Sequence, residues 1–336
     1  MDRTDTGTAH YQNGGRRLGA DRRAMRKDSK IYVAGHTGLV GSAIVRELKR
    51  KKYDNIITIV GIDLRKPFLS GFIQISLQAE YVFNCAAHAG GISEAINKPA
   101  EMIRDNLLIQ TNIIDVCKQT GVKKLLNLGS SCIYPVDGEQ PYTEDQIGTG
   151  KTDENWSYAI AKLVGIELCR AYNRQYGCNF MTAIPCNLYG QNDNFDPEKA
   201  HVIPGLIRKI DKSKTYQIWG DGSSQREFLY VDDFAHAAVM LMERYGYEDL
   251  YDGVVNVGNG QEISIDDLTD LVFDIIRPGE NGIGLYDNSK PSGVKSKLMD
   301  SSRINVLGWE PKTSLREGIE KTYRWYLAYR AHNQPS

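Results

Sequence analysis

Tyr158 and Lys162 stand four residues apart in a run with helical periodicity, so their side chains share a face. A tyrosine hydroxyl ordinarily titrates near ~10, too high for ready proton exchange at neutral pH. A neighbouring ammonium favours the phenolate and lowers that value. The same lysine can hydrogen-bond a nicotinamide ribose. Such pairs arise often on helices, and alone this one carries little. Ser130, in Gly129-Ser130-Ser131 at the end of an apolar run, changes the weight. In a doubly wound sheet, ligands collect at the carboxyl ends of strands. A hydroxyl there can donate to a substrate carbonyl while Tyr158 transfers a proton.

Gly35-His36-Thr37-Gly38-Leu39-Val40-Gly41 reads GxxGxxG between a β-rich run and a helical one. Glycines let the backbone turn sharply and approach a pyrophosphate, which sits on the positive end of the helix. Asp63 follows Gly41 by 22 residues, at the end of the second apolar run. An acid at that spacing suits a ribose 2′-hydroxyl and hence NAD. Arg65 and Lys66 beside it could instead welcome the 2′-phosphate of NADP, so both readings stand. Gly148-Thr149-Gly150-Lys151-Thr152 resembles a P-loop ending, but Asp145 sits where the first glycine is needed and no apolar strand precedes it.

The six cysteines (Cys85, Cys117, Cys132, Cys169, Cys178, Cys186) show no CxxC pair and no disulfide spacing. They read as thiols in a reducing cytoplasm. The six histidines form no HxxxH or HExxH pattern, and no metal site is expected.

The elements that must hold these residues alternate. Strands are expected at Ile31–Ala34, Ile56–Val60, Tyr81–Ala86, Lys124–Leu128 and Phe180–Ile184. Helices are expected at Leu39–Lys52, Ala100–Thr120 and Ser157–Tyr176, with Gly121 and Gly177 ending the last two. A Gly90-Gly91 turn follows the third strand. Short strands apolar on both faces, alternating with helices, imply an α/β fold: a Rossmann-type doubly wound parallel sheet. Strand character returns at Phe228–Val231 and Gly253–Val257. The expected division is a dinucleotide-binding domain of 30–185 plus about 228–260. A smaller, discontinuous substrate domain takes about 186–227 and 261–331, with a turn at Lys290-Pro291-Ser292-Gly293. Residues 1–29 carry seven Lys or Arg against four Asp and no apolar periodicity; they read as a disordered extension, a tag or an upstream start.

The 336 residues include 41% hydrophobic and 25% charged residues at a net charge of -1. That balance excludes a global basic field for nucleic acid or anionic lipid. No apolar run reaches the ~20 residues a membrane span needs, and no secretory signal is visible.

Glycine turn, strand-end Ser and YxxxK in this order resemble the extended short-chain dehydrogenases over residues 30 to about 330. Longer strings are similar to the GDP-L-fucose synthase family: Gly35 to Ser42, Gly129-Ser130-Ser131-Cys132-Ile133-Tyr134-Pro135, Tyr158-Ala159-Ile160-Ala161-Lys162, Asn187-Leu188-Tyr189-Gly190, His201-Val202-Ile203-Pro204 and Arg226-Glu227-Phe228-Leu229. The resemblance implies two reactions on GDP-4-keto-6-deoxy-mannose, epimerisation at C3 and C5 and then NADPH-dependent reduction at C4. It implies Cys132 as base and His201 as acid of the epimerisation, with Ser130, Tyr158 and Lys162 as the reductive triad. It implies that Leu64, Leu128, Gly129, Ser131, Pro185, Cys186, Asn187, Leu188 and His201 join the glycine turn around the cofactor. Arg208, Trp219, Arg226 and Lys290 fall where the family binds the nucleotide sugar, with Lys297 a weaker candidate. A homodimer through the 100–120 and 157–176 helices follows from the same likeness.

Two positions depart from the family. Ile57-Thr58-Ile59-Val60-Gly61-Ile62 lacks its Arg before Asp63-Leu64, which leaves NADP against NAD open, and His88 replaces a Lys before the Gly-Gly turn. The alternatives are a 4-epimerase, 4,6-dehydratase or GDP-mannose 3,5-epimerase of the same fold, or a non-catalytic cofactor-binding shell.

Overall fold

A computed structural model of the chain describes residues 25–66, 78–90, 92–152, 156–290 and 293–333. Residues 1–24, Gly91, Pro291 and Ser292, on which three of the expectations fall, lie outside it.

Five apolar runs form fully buried strands: β1 Ile31–Ala34, β3 Tyr81–Asn84, β4 Lys124–Leu128, β5 Phe180–Pro185 and β9 Val254–Val257. With β2 Ile56–Ile57 they make a six-stranded parallel sheet in the order β2-β1-β3-β4-β5-β9. The order reverses between β1 and β3, the switch point outside which such sheets bind ligands. Helices cover both faces. On one face lie α1 Leu39–Arg50 and α6 Val231–Arg244, joined by Arg46–Asp232 at 2.5 Å and by Lys51–Glu243. The other face carries α3 Pro99–Gln119 and α4 Trp156–Tyr176, preceded by the short α2 Ile92–Asn97. Each face has its own apolar cluster, so burial on both sides holds the sheet.

A third cluster belongs to the C-terminal part. It packs α5 Val202–Lys212, α7 Ile265–Ile276 and α8 Leu315–Asn333 against two small sheets. One is β10-β8-β6, from Glu262–Ser264, Gln225–Tyr230 and Asn187–Tyr189; the other pairs β11 Ile283–Asp287 with β7 Thr215–Trp219. The boundary expected at about 228 therefore falls inside β8, which pairs with β6 and β10 and not with the parallel sheet. Val231, expected as strand, opens α6.

Two more expectations are corrected. The second strand is two half-buried residues at the sheet edge, not five buried ones, and Val60 is exposed. As an edge strand it pairs with β1 alone among the described residues. Order begins before Lys30. Met25 is buried in the core beside Leu48 and Tyr53, the Tyr53 hydroxyl donates to the Met25 carbonyl at 3.3 Å, and Asn55 donates to the Asp28 carbonyl at 2.7 Å. The charges of residues 25–29 hid an anchoring methionine.

Candidate active site

β1 is followed by Gly35, where φ is +74° and an added Cβ would lie 2.8 Å from Ala86; only glycine fits. Gly41, inside α1, packs so closely that a Cβ would collide with the Gly35 carbonyl. Gly38 differs. It caps α1 with ordinary φ and ψ, and a Cβ there would meet nothing nearer than 3.5 Å. The fold does not need this glycine, yet it borders the open groove on both sides. Among the described residues no side chain caps α1 and no acid occupies its first turn, and Gly38, Leu39 and Val40 at its start line that groove. An uncapped helix start of this kind can receive a dinucleotide pyrophosphate.

α4 is positioned by α3. The Gln110 side chain donates to the Ala161 carbonyl at 2.9 Å and lies against Gly165, where a Cβ would displace it. That contact aims Tyr158 and Lys162 at the end of β4. Lys162 Nζ donates to the Leu128 carbonyl at 2.8 Å and lies 5.6 Å from the Tyr158 ring centroid. Ser130 caps the short turn Ser131–Ile133, its hydroxyl accepting from the Cys132 N–H at 3.4 Å.

Burial decides the protonation here. It pushes the Lys162 ammonium down to about 8, with the Cys132 and Cys85 thiols opposing. It pushes the Tyr158 phenol up, against the lowering expected from the lysine. Loss of solvent is the main cause, and the Cys132 thiol adds to it. Tyr158 is thus a neutral phenol, the form that can give a proton to a reduced carbonyl. His201 precedes α5 as its cap residue, and crowding by protein lowers its imidazole although the open cavity still reaches it. Cys186 is buried and its thiol is raised by burial and then by Glu227, which fits a packing residue.

These groups share one cavity of about 640 Å³. Gly38, Leu39, Val40, Leu128, Gly129, Ser130, Ser131, Cys132, Tyr158, Lys162, Pro185, Cys186, Asn187, Leu188 and His201 line it, with Arg208, Trp219 and Arg226 farther along. Arg208 Nε is buried with no hydrogen-bond partner among the described residues, a donor waiting for an anion. Arg226 is fastened by its Nη1 to the carbonyls of Gln225 and Val294, both at 2.6 Å. Lys290 does not line the cavity; its ammonium lies 5.8 Å from the centroid of Trp219. Gly35, Thr37, Asp63 and Leu64 line a second, adjoining groove, whereas His36 and Gly41 line neither. Glu227 is wholly buried and accepts from the N–H groups of Asn259, Gly260 and Met299, so this half of the Arg226-Glu227 string ties loops to β8.

Arg65, weighed beside Asp63 as a reader of a 2′-phosphate, lines the second groove, and Asp193 and Cys85, not among the expected site residues, also line these spaces. Asp193 and Cys85 carry no spacing signal; only the fold brings the buried Asp193 and the half-buried Cys85 beside these spaces.

Residues 31–258 match the NAD dependent epimerase/dehydratase family. GDP-L-fucose synthase 1 of Arabidopsis thaliana is 46% identical over 311 residues, 90% of this chain and 94% of that protein. A GDP-6-OMe-4-keto-L-xylo-heptose reductase from C. jejuni superposes with a TM-score of 0.84 at 31% identity, over 91% of this chain and 99% of that one. A GDP-L-fucose synthetase from Naegleria fowleri bound to NADP gives 0.81 at 26% identity, over 93% and 98%.

Proposed function

The chain belongs to the NAD dependent epimerase/dehydratase family, and we propose that it converts GDP-4-keto-6-deoxy-D-mannose to GDP-L-fucose. The reaction is 3,5-epimerisation followed by NADPH-dependent reduction at C4. One observation carries this reading. A single cavity holds the reductive groups Ser130, Tyr158 and Lys162 together with two further proton-exchanging groups, Cys132 and His201. A plain reductase has no use for the second pair.

The 4-keto group acidifies the protons on C3 and C5. Cys132 removes a proton from one face, and His201 returns one to the other, inverting each carbon through an enolate. Ser130 then donates a hydrogen bond to the C4 oxygen, and Tyr158 gives it the proton. Bound NADPH supplies the hydride to C4. Lys162 holds the coenzyme ribose and restrains the phenol. Gly38 with the start of α1 receives the pyrophosphate. Arg208 and Arg226 neutralise the sugar diphosphate, and Trp219 with Lys290 over it offers a surface for the guanine. Residues 30–185 with α6 and β9 act as the coenzyme domain, and β6 to β8 with 261–331 act as the sugar domain.

The protein works as a homodimer through α3 and α4, in the cytoplasm. Leu108, Val164 and Tyr176, exposed on those two helices, support the dimer. Among the described residues no helix is long and apolar enough to cross a membrane.

The test supplies GDP-4-keto-6-deoxy-D-mannose with NADPH and follows coenzyme oxidation and product stereochemistry. Oxidation with formation of the L-fuco product is expected. Absence of oxidation with either NADPH or NADH would sink the reductase. A reduced product with C3 and C5 unchanged would sink the epimerase.

A further inference from the structure

The adjoining groove lies at the ends of β1, β2 and β3, where an acid closing the second strand reads the adenosine ribose. Ile62, Asp63, Leu64 and Arg65 form its rim. Ile62 is half-exposed, offers no charge, and stands immediately before Asp63. Arg65 folds back over Asp63. Its Nε and Nη2 reach the two Asp63 oxygens at 2.8 and 3.0 Å, and its backbone N–H adds a bond at 3.1 Å. Its remaining nitrogen, Nη1, reaches Asp105 on α3 at 3.0 Å. Asp105 is itself fixed by Arg104 at 2.8 Å and faces His88 at 3.2 Å. All three nitrogens of the guanidinium are thus engaged, by two carboxylates that are present before any coenzyme arrives.

Taking the coenzyme reading above as its premise, we propose that Arg65 and Asp63 form an exchangeable pair that reads the 2′-position of the coenzyme. A 2′-phosphate takes Arg65 from Asp63, whereas a 2′-hydroxyl donates to Asp63 and leaves the pair intact. The protein therefore accepts both NADPH and NADH.

The physical case is a balance. A planar guanidinium grips a phosphate bidentately, which favours NADPH. Here that grip is gained only by giving up an equally bidentate carboxylate, and Asp63 is then left facing a dianion. With a hydroxyl nothing is given up. Asp63 keeps a lone pair on Oδ2, because only Arg65 Nη2 binds that oxygen among the described residues. Asp105 keeps Arg65 at the rim in either state. The preference that a lone arginine would give is thereby flattened.

Direct binding without sugar tests this, using coenzyme fluorescence or calorimetry to obtain Kd for NADPH and for NADH. Wild-type values within about tenfold of each other are expected, since the exchanged contacts are of one kind. Arg65→Gln should weaken NADPH by about tenfold and leave NADH within about threefold. Asp63→Asn should shift the ratio the other way, by weakening NADH and sparing or tightening NADPH. Misfolding cannot move one ratio in two directions. Equal losses of both coenzymes, an unmoved ratio, or shifts of the same sign would overturn the proposal. Failure of the wild type to bind either coenzyme would instead bring down the coenzyme site on which it rests.

Discussion

In the proposed reaction Tyr158 and Lys162 carry the reductive step, and burial gives that step its direction. A phenol held above its ordinary range stays protonated at neutral pH, so it acts as a donor to a carbonyl that gains hydride. Tyr158→Phe should lower reductive turnover by about a hundredfold or more while the NADPH Kd changes little. A Kd shift that matched the rate loss would assign Tyr158 to binding instead. Burial pushes the Lys162 ammonium down to about 8, so kcat/KM for NADPH should fall as pH rises through about 8. A profile flat from pH 7 to 10 would count against the charged lysine. Cys132→Ser should stop inversion yet spare coenzyme binding, read by deuterium exchange from solvent into the sugar; undiminished exchange would remove Cys132 from the base role. That these residues share one cavity was foreshadowed by the strings in which each lies. Arg65 was visible as a charge beside Asp63, but its second partner, Asp105, lies 40 residues on and needed the fold to reveal it.

At the scale of elements, the alternation of strand and helix announced the parallel sheet because strands buried on both faces must be apolar throughout. The failures fell where a run was short or shared. β2 read as five residues because Ile56–Val60 is β-rich, yet only Ile31 and Tyr32 of β1 pair with it. β8 read as part of the coenzyme sheet because strand character does not name its partner. The start of α1 separates glycines needed by the fold from one available to a ligand. Gly41→Ala should cost about 2 kcal/mol of stability in urea unfolding, because α1 must move off the Gly35 carbonyl. Gly38→Ala should cost little stability and weaken NADPH by about tenfold, because a methyl group would stand where the pyrophosphate approaches the amides. Equal effects of the two substitutions on unfolding would deny this division.

For the molecule as a whole, the cavity is closed on one side by the segment between β6 and α5, and this segment holds a carboxylic acid in the wrong solvent. Asp193 is buried; its Oδ1 accepts from the Asn194 N–H at 2.8 Å, and its Oδ2 has no partner among the described residues. Burial raises it from the usual carboxylate range to about 7. Below pH 4 the folded and unfolded chains both keep the proton, and Asp193 costs nothing. Between pH 4 and 7 the unfolded chain releases the proton and the folded chain retains it, so stability falls as pH rises. Above pH 7 the full cost remains. The shift corresponds to a few kcal/mol at most, and relaxation with water from the cavity brings the expected cost to about 2 kcal/mol. Glu144 and Glu227 are also raised by burial, so the slope of the wild type alone would not identify Asp193. The comparison with Asp193→Asn does, because the amide keeps the shape and the bond to Asn194 and cannot ionise. Urea unfolding of the two proteins should give nearly equal stabilities at pH 4 and an advantage of about 2 kcal/mol for the variant at pH 7.5. A difference that stays constant across that range would mean that Asp193 gives up its proton in the folded protein as readily as in water.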